Sequence, residues 1–473
     1  MSNQLTKADA ARKRVKNPNS LTSALVNGGP IVWLSCLIMG LGNICAGQVI
    51  KGLIFLAIEA LVIVLVFVPI IPDLGGTAHS GLDWISMLPS LGDRDDERKV
   101  VGNIEKLVYG DRSHLILLYS VIFIAILVAF VVIWRASVRS GYLGLTKKRM
   151  GKKVPGFIDD VKSLFDENIH KLLMIVPFSM LMIFTVIPLV YMISMAFTNY
   201  NKDHDRLFDW VGFETFGLLF KGSGVLAEYF WSVLGWTLVW AFFATFLNFF
   251  LGTFMALIIN RPTTRYKSFW RTMLSFTIAI PQFVSLLVIG KMFDFNGIIN
   301  SMLLEAGWIT EKFNVYSLEM HGLSARIFVI VINLWVGIPY TVMQVTGILK
   351  NIPADLYEAA RIDGANTVQQ FTNITLPYMV FVLTPYIITS FTGNINNFGV
   401  IFLLSGGGPF EKGGSVDAGY TDLLVTWLYR LSVEEREYNI GAVIGIFTFL
   451  ILAVISLVTY RSSGSYKDEE GFK

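Results

Sequence analysis

Long, uninterrupted apolar segments constrain this chain more than any other feature. A helix needs about 20 consecutive apolar residues to cross the roughly 30 Å hydrocarbon core of a bilayer, and eight segments of that kind are present, near 51–72, 115–134, 171–197, 229–259, 271–293, 326–349, 378–404 and 439–460. Of the 473 residues, 54% are hydrophobic and 15% charged, against about 45–50% apolar and about 25% charged in soluble domains. The expected fold class is therefore an all-α integral membrane protein with eight transmembrane helices. Ahead of the first span, the stretch from Pro30 to Val49 is broken by Gly40, Gly42, Asn43, Gly47 and Gln48 and is joined to that span by only Ile50 and Lys51. That link is too short for two full crossings, so the stretch is expected to be a short N-terminal interfacial or re-entrant helix.

Basic residues orient the spans. With an internal N-terminus, 23 of the 38 Lys and Arg fall in cytoplasmic segments, 12 fall outside, and Lys51, Lys291 and Arg326 sit at helix ends. The strongest single signal follows the second span: Arg135, Arg139, Lys147, Lys148, Arg149, Lys152 and Lys153. The positive-inside rule then puts both termini in the cytoplasm. A basic start containing Lys7, Arg12, Lys13, Arg14 and Lys16 precedes about forty apolar residues, which suits a retained membrane segment better than a cleaved signal peptide. The external loop 73–114, with Asp93, Asp95, Asp96 and Glu97, reads as a solvated loop. Domain organisation follows: 1–50 is the N-terminus with the interfacial helix, 51–170 is two spans with a basic linker, 171–460 is a core of six spans, and 461–473 is a tail.

Several function classes are excluded. A net charge of +3 without a basic stripe argues against nucleic-acid binding. Cys36 and Cys45 share one apolar stretch and read as small apolar residues. The histidines His79, His114, His170, His204 and His321 lack metal-ligand spacing and read as solvated. Neither a phosphate-binding glycine-rich loop nor a dinucleotide fingerprint occurs, so nucleotide chemistry belongs to another chain. Glu59 is the one acidic residue well inside a span, whereas ion-coupled carriers place ionisable groups at the midplane. A membrane glycosyltransferase would need clustered Asp, Glu or His at one face, and none stands outside the acidic first loop.

The segment after the sixth span, NIPADLYEAARIDGANTVQQFTNITLPYM, carries the most information. Pro353 followed by Ala354, Leu356, Glu358, Ala359 and Ala360 predicts a short helix to Ile362. Asp363 and Gly364 predict a turn, and Asn366 to Thr375 a second helix. Leu356, Ala359, Ala360, Phe371 and Ile374 offer an apolar face that something must cover. Glu358, Ala359, Ala360, Gly364, Ile374, Leu376 and Pro377 at this spacing resemble the EAA loop of permeases in binding-protein-dependent ABC importers. The resemblance extends over about 171–460 and sharpens toward the maltose/maltodextrin-type permease subunit through NLWVGIPY (Asn333 to Tyr340), NINNFGVIFLLSGGGP (Asn394 to Pro409) and AGYTDLLVTWLYR (Ala418 to Arg430).

The resemblance implies an ABC importer permease fold in a bacterial cell membrane, with no cofactor in this chain and no enzymatic activity of its own. ATP and Mg are used by two partner ATPase subunits, and the EAA loop would couple to them through Glu358 at a cleft rim, close packing at Ala359 and Ala360, and the Asp363–Gly364 turn. The other implied partners are a second, similar permease subunit, an extracellular sugar-binding protein and an oligosaccharide, with maltose or maltodextrin ahead of galactooligosaccharides and an ion-coupled sugar carrier as the rival. Asn333, Gly337, Asn394 and Asn397 fall on positions that resemble sugar contacts, and Gln282 resembles another. Independently of the resemblance, amides suit a neutral sugar because each offers a donor and an acceptor. Trp335, Phe391 and Phe398 read as packing. Two departures stand out: about thirty residues, Thr198 to Glu228, stand where enteric members carry a large external domain, and Gly393 stands where relatives place an aromatic residue.

Overall fold

The computed structural model describes residues 20–72, 78–92, 97–101, 104–108, 112–220, 224–261, 263–411, 414 and 416–462. The basic residues before Ser20, the carboxylates Asp93, Asp95 and Asp96, and the tail beyond Ser462 lie outside them. The chain forms two compact units, Met1–Trp210 and Val211–Lys473. Among the described residues, seven helices are long and apolar enough to cross a membrane, or eight if one bent pair counts as a single span.

In the first unit, α1 (Leu21–Asn27) comes first, and two short helices, α2 (Pro30–Leu37) and α3 (Leu41–Ala46), stand where a single interfacial or re-entrant helix was expected over Pro30 to Val49. The cause is backbone chemistry. Gly40 and Gly47 both take positive φ, a conformation that ends helices and that only glycine adopts without penalty. The first span, α4 (Val49–Phe67), follows. Its Glu59 accepts the N–H of Met39 at 2.8 Å and so satisfies a donor at the break after α2. The carboxylate inside the span thus has a structural partner.

Residues 71–72 and 78–79 pair as strands β1 (Ile71–Pro72) and β2 (Ala78–His79), and α5 (Gly81–Met87) follows. A hairpin of β3 (Glu97–Val101) and β4 (Ile104–Val108) comes next. The expectation of a plain solvated loop is therefore corrected. Trp84, Met87 and Leu91 are buried against Ile116, Leu117, Phe123 and Phe208, giving this region a core of its own. His79 packs on Trp84 with ring centroids 4.9 Å apart, and His114 is half-buried, so these two histidines are not simply solvated.

The second span, α6 (Ser113–Arg149), runs 37 residues, about 55 Å at the helical rise, and so carries Arg135 to Arg149 past the roughly 30 Å core. Its far half holds α1 to α3: Ser137 Oγ accepts the Gly40 N–H at 3.0 Å, and Asn43 donates to Ser140 Oγ at 2.8 Å. A short helix, α7 (Phe157–Phe165), leads to the third span, α8 (Ile169–Met195), which is interrupted by a π-helical turn at Met182–Val186.

The second unit begins with α9 (Glu214–Phe220), then the span α10 (Val225–Asn260) with a π-helical turn at Phe243–Leu247. The span expected at 271–293, whose helix pattern the run Ile280, Pro281, Gln282 interrupts, is a pair, α11 (Lys267–Ala279) and α12 (Gln282–Met292), bent by 86°. Pro281 between them has no N–H to continue the helix. After α13 (Ile298–Glu305) comes α14 (Leu323–Asn351), packed tightly on α10. The short helix α15 (Ala354–Ile362) precedes α16 (Thr367–Ile395). The expected span at 378–404 is also broken, because α16 ends before Asn396 and α17 (Phe398–Leu404) starts anew. A short α18 (Leu424–Tyr429) and the last span, α19 (Tyr438–Ser462), complete the unit.

Candidate functional site

A cavity of about 300 Å³ in the second unit is lined by all five residues singled out as path candidates: Gln282, Asn333, Gly337, Asn394 and Asn397. They arrive from four elements. Gln282 is the first residue of α12, just past the 86° bend. Asn333 and Gly337 lie one turn apart on α14. Asn394 is in the last turn of α16, and Asn397 caps α17. The latter two were expected to share one helical face. They meet instead across a helix break: Asn397 Nδ2 donates to Asn394 Oδ1 at 3.2 Å, while Asn397 Oδ1 accepts the N–H of Val400. An N-cap asparagine satisfies a donor at the start of its helix, and that is why the span divides here.

Sequence reasoning missed the contribution of α10. Thr245 and Asn248 also line the cavity, at the π-helical turn and just beyond it, and a turn of this kind widens the helix and re-aims side chains. Thr245 Oγ1 accepts from Asn394 Nδ2 at 3.0 Å, so Asn394 both ties two helices together and faces the cavity. Asn248 Nδ2 donates to Ala244 O at 2.6 Å. A carbonyl accepts only, so that bond fixes which end of the amide is nitrogen; the Oδ1 of Asn248 is left buried with no partner. Gly337 makes room for this side chain, since a Cβ there would lie 2.6 Å from Asn248 Nδ2 and 2.7 Å from Oδ1. Tyr340, Thr341, Tyr386 and Ser390 supply further hydroxyls. Two polar signals in α10 pointed here, Thr245 and Asn248 three apart on one face. Phe398 packs on Phe402 and Tyr429, at 4.6 and 5.0 Å between ring centroids.

Among the described residues no charged side chain lines this cavity, and no cluster of His, Cys, Asp and Glu could hold a metal ion. Its chemistry is that of hydroxyls, amides and two phenols. A second cleft of about 110 Å³ is lined by Glu228, Tyr229, Arg326, Glu411, Tyr420 and Asp422 among others. Arg326 lies over the Trp236 ring at 4.7 Å and donates to Tyr420 O at 2.8 Å. The Tyr420 hydroxyl donates to Glu411 at 2.8 Å, and that bond pushes its phenol above the usual tyrosine range. Asp422, 1% exposed, pairs with Arg430 at 2.7 Å.

The segment 350–377, expected to be a coupling loop, stands apart from most of the cavity residues in sequence and forms as its residue types dictate. Pro353 caps α15, Asp363 follows its last residue, and Gly364 has φ +79°. Among the described residues nothing lies within 4 Å of where a Gly364 Cβ would sit, so glycine serves backbone conformation here and not space. Asn366 and Gln369 exchange a capping box at 2.8 and 2.9 Å. The phenol of Tyr357 and the hydroxyl of Thr375 share a 2.8 Å hydrogen bond that ties α15 back to α16. The second helix expected at Asn366 to Thr375 is continuous with α16, through a π-helical turn at Phe371–Thr375. Glu358, Ala359, Asp363, Gly364, Leu376 and Pro377 are exposed, whereas Ala360 and Ile374 are half-buried. Exposed Leu356 is joined by Ile362, 86% exposed, and Val368. These last two extend the apolar surface beyond the residues read from sequence.

Residues 248–464 match the family described as binding-protein-dependent transport system inner membrane component. The chain is similar to the maltodextrin transport system permease protein MdxF of Bacillus subtilis strain 168, with 30% identity over 456 residues, 92% of this chain and 96% of the relative. It is similar to the maltodextrin transport system permease protein MalC of Streptococcus pneumoniae serotype 4, at 32% identity over 92% of this chain and 96% of the relative. It is also similar to the galactooligosaccharides transport system permease protein GanP of Bacillus subtilis strain 168, at 37% identity over 62% of this chain and 70% of the relative. Among solved structures, a bacterial ABC transporter involved in import of the acidic polysaccharide alginate shares the fold, with a TM-score of 0.51 and 23% identity over 64% of this chain and 96% of that chain.

Proposed function

From the premise that this chain belongs to the binding-protein-dependent transport system inner membrane components, as a permease subunit of an ABC sugar importer, we propose that it forms the translocation path for a neutral oligosaccharide of the maltodextrin type. The observation that carries this reading is the uncharged cavity in which amides and hydroxyls from α10, α12, α14 and α16 converge. Such groups hydrogen-bond sugar hydroxyls in either direction without demanding a charge on the substrate. The two phenols, Tyr340 and Tyr386, add apolar faces for sugar rings. Of the related substrates, a maltodextrin is favoured over a galactooligosaccharide because the relatives matched along 92% of the chain carry that name.

In this reading both termini are cytoplasmic, and α15 with its turn docks on a partner ATPase that uses ATP and Mg. A second permease subunit completes the path, and an extracellular binding protein delivers the sugar. The exposed apolar residues Leu356, Ile362 and Val368 supply the surface an ATPase would cover. ATP-driven closure of the ATPase pair then moves α14 and α16, which flank the loop and line the cavity. Sugar contacts would come from Gln282, Asn333, Gly337, Asn394 and Asn397.

The test is ATP-dependent uptake of labelled maltotriose by the full transporter, with wild-type chain and with Glu358→Lys/Gly364→Pro. Uptake is expected only with the wild type, while both chains insert and assemble. Equal uptake by the two would overturn the coupling role. An ATP-dependent uptake of galactotriose but not maltotriose would overturn the choice of sugar.

A further inference from the structure

Helix α7 is nine residues long and strictly two-faced. At 100° per residue, Phe157, Ile158, Val161, Leu164 and Phe165 fall within a sector about 120° wide, and Asp159, Asp160, Lys162 and Ser163 occupy the remainder. Among the described residues of the first unit the apolar sector is left largely uncovered: Val161 is half-buried, but Ile158 is 68% and Phe165 66% exposed. In water such a face would be a liability.

Its depth is set by polar contacts. Asp160, on the polar side, pairs with Lys51 at 2.8 Å, and Gln48 Nε2 donates to Pro155 O at 2.8 Å. Lys51 lies in the first turn of the span α4. The next span, α8, begins at Ile169, only four residues after α7 ends. Helix α7 is thereby held at the level where two spans of the same unit terminate, which is the level of the lipid headgroups.

Charge identifies the surface it meets. Lys147, Lys148, Arg149, Lys152 and Lys153 are exposed in the seven residues that close α6 and follow it. Over 147–162 six cations, Lys162 included, stand against two carboxylates, Asp159 and Asp160, and Asp160 is engaged by Lys51. A basic cluster beside a span end attracts anionic lipid, and an amphipathic helix beside it buries its apolar face at the headgroup–acyl boundary.

We propose that α7 is an in-plane interfacial helix that binds an anionic phospholipid leaflet, with Phe157, Ile158, Leu164 and Phe165 in the acyl boundary and the 147–153 cations on lipid phosphates. The lipid-bound helix braces the base of α4 and the entry to α8. This reading depends on the membrane location of the chain and not on the identity of its sugar.

The test uses the full transporter in nanodiscs, in a Cys36→Ala/Cys45→Ala background, with an environment-sensitive dye on Ile158→Cys or, as the polar-face control, Asp159→Cys. Discs contain phosphatidylcholine alone or with one quarter phosphatidylglycerol. In discs with phosphatidylglycerol the Ile158 label is expected to resist aqueous iodide several-fold better than the Asp159 label and to be quenched by shallow spin-labelled lipid. The contrast should shrink without phosphatidylglycerol, and also in Lys147→Gln/Lys152→Gln/Lys153→Gln. Equal iodide access at both positions, or protection of Ile158 that arises only when ATPase subunits are added, overturns the proposal. Protection identical in the two lipid mixtures overturns its anionic partner.

Discussion

Replacing Gly337 with alanine puts the cavity's packing to a direct test. The added Cβ would lie 2.6 to 2.8 Å from three atoms of the Asn248 side chain, whereas carbon and its neighbours rest at about 3.5–4.0 Å. About 1 Å of overlap must therefore be relieved. Asn248 is 8% exposed and its Nδ2 is held by Ala244 O. Swinging it away breaks that bond and leaves a buried amide unsatisfied, at about 1–3 kcal/mol. Spreading α10 from α14 instead costs about 1–3 kcal/mol of overpacking. Either route gives about 2 kcal/mol, which corresponds to roughly a thirtyfold shift in an equilibrium that requires the native cavity. Maltotriose uptake at subsaturating sugar should fall by that order, with a matching loss of thermal stability in the purified complex. Asn248→Ala removes the obstacle, so Gly337→Ala/Asn248→Ala should be more stable than the two single losses add up to, by about 1–2 kcal/mol. Strictly additive losses, or a harmless Gly337→Ala, would refute the argument that Gly337 exists to seat Asn248.

Two other perturbations separate coupling from folding. Gly364→Val puts a β-branched residue at φ +79° in open space, at about 1–2 kcal/mol of backbone strain; ATP hydrolysis by the assembled transporter should persist while sugar uptake drops, and parallel loss of both activities would point to failed assembly instead. Arg430→Ala strands the buried Asp422 carboxylate, at about 3–5 kcal/mol, so the purified complex should melt markedly earlier, and Asp422→Asn added to it should recover part of the loss; an unchanged melting temperature in the single variant would mean that the pair is already open to water.

Much of this molecule was legible because the physics that shapes it is local. The turn at Asp363–Gly364 follows from glycine alone, and the bend at Pro281 from a missing N–H. The path candidates Asn333 and Asn394 stood out because an amide in an apolar run needs a partner. What sequence concealed depended on partners far along the chain. Asn394 and Asn397 looked like neighbours on one helix, yet the cap that Asn397 gives Val400 ends that geometry. Residues Pro30 to Val49 looked like one interfacial helix, because their organisation rests on Ser137 and Ser140 of α6, about a hundred positions later. Trp84 sits in a stretch read as solvated, because its burial needs Ile116 and Phe208.

The broken helices and the cavity have one cause. In hydrocarbon every backbone N–H and C=O must be satisfied internally, so irregular backbone survives only where protein or a water-filled cavity covers it. Here the 86° bend before Gln282, the break between Asn394 and Asn397, and the π-helical turn that carries Thr245 all border the same space. Each break costs a helix some of its own hydrogen bonds, and each places a polar side chain at the wall. Most of those side chains already bond one another: Asn397 to Asn394, and Asn394 to Thr245. If the cavity is the proposed path, a sugar entering it competes with these bonds, which tempers its affinity, and a path needs a substrate held firmly enough to enter and loosely enough to leave. Among the described residues the Oδ1 of Asn248 is buried without a partner. An amide that has no partner within the wall has more to gain from a sugar hydroxyl, so removing it should weaken binding more than removing one that is already bonded there.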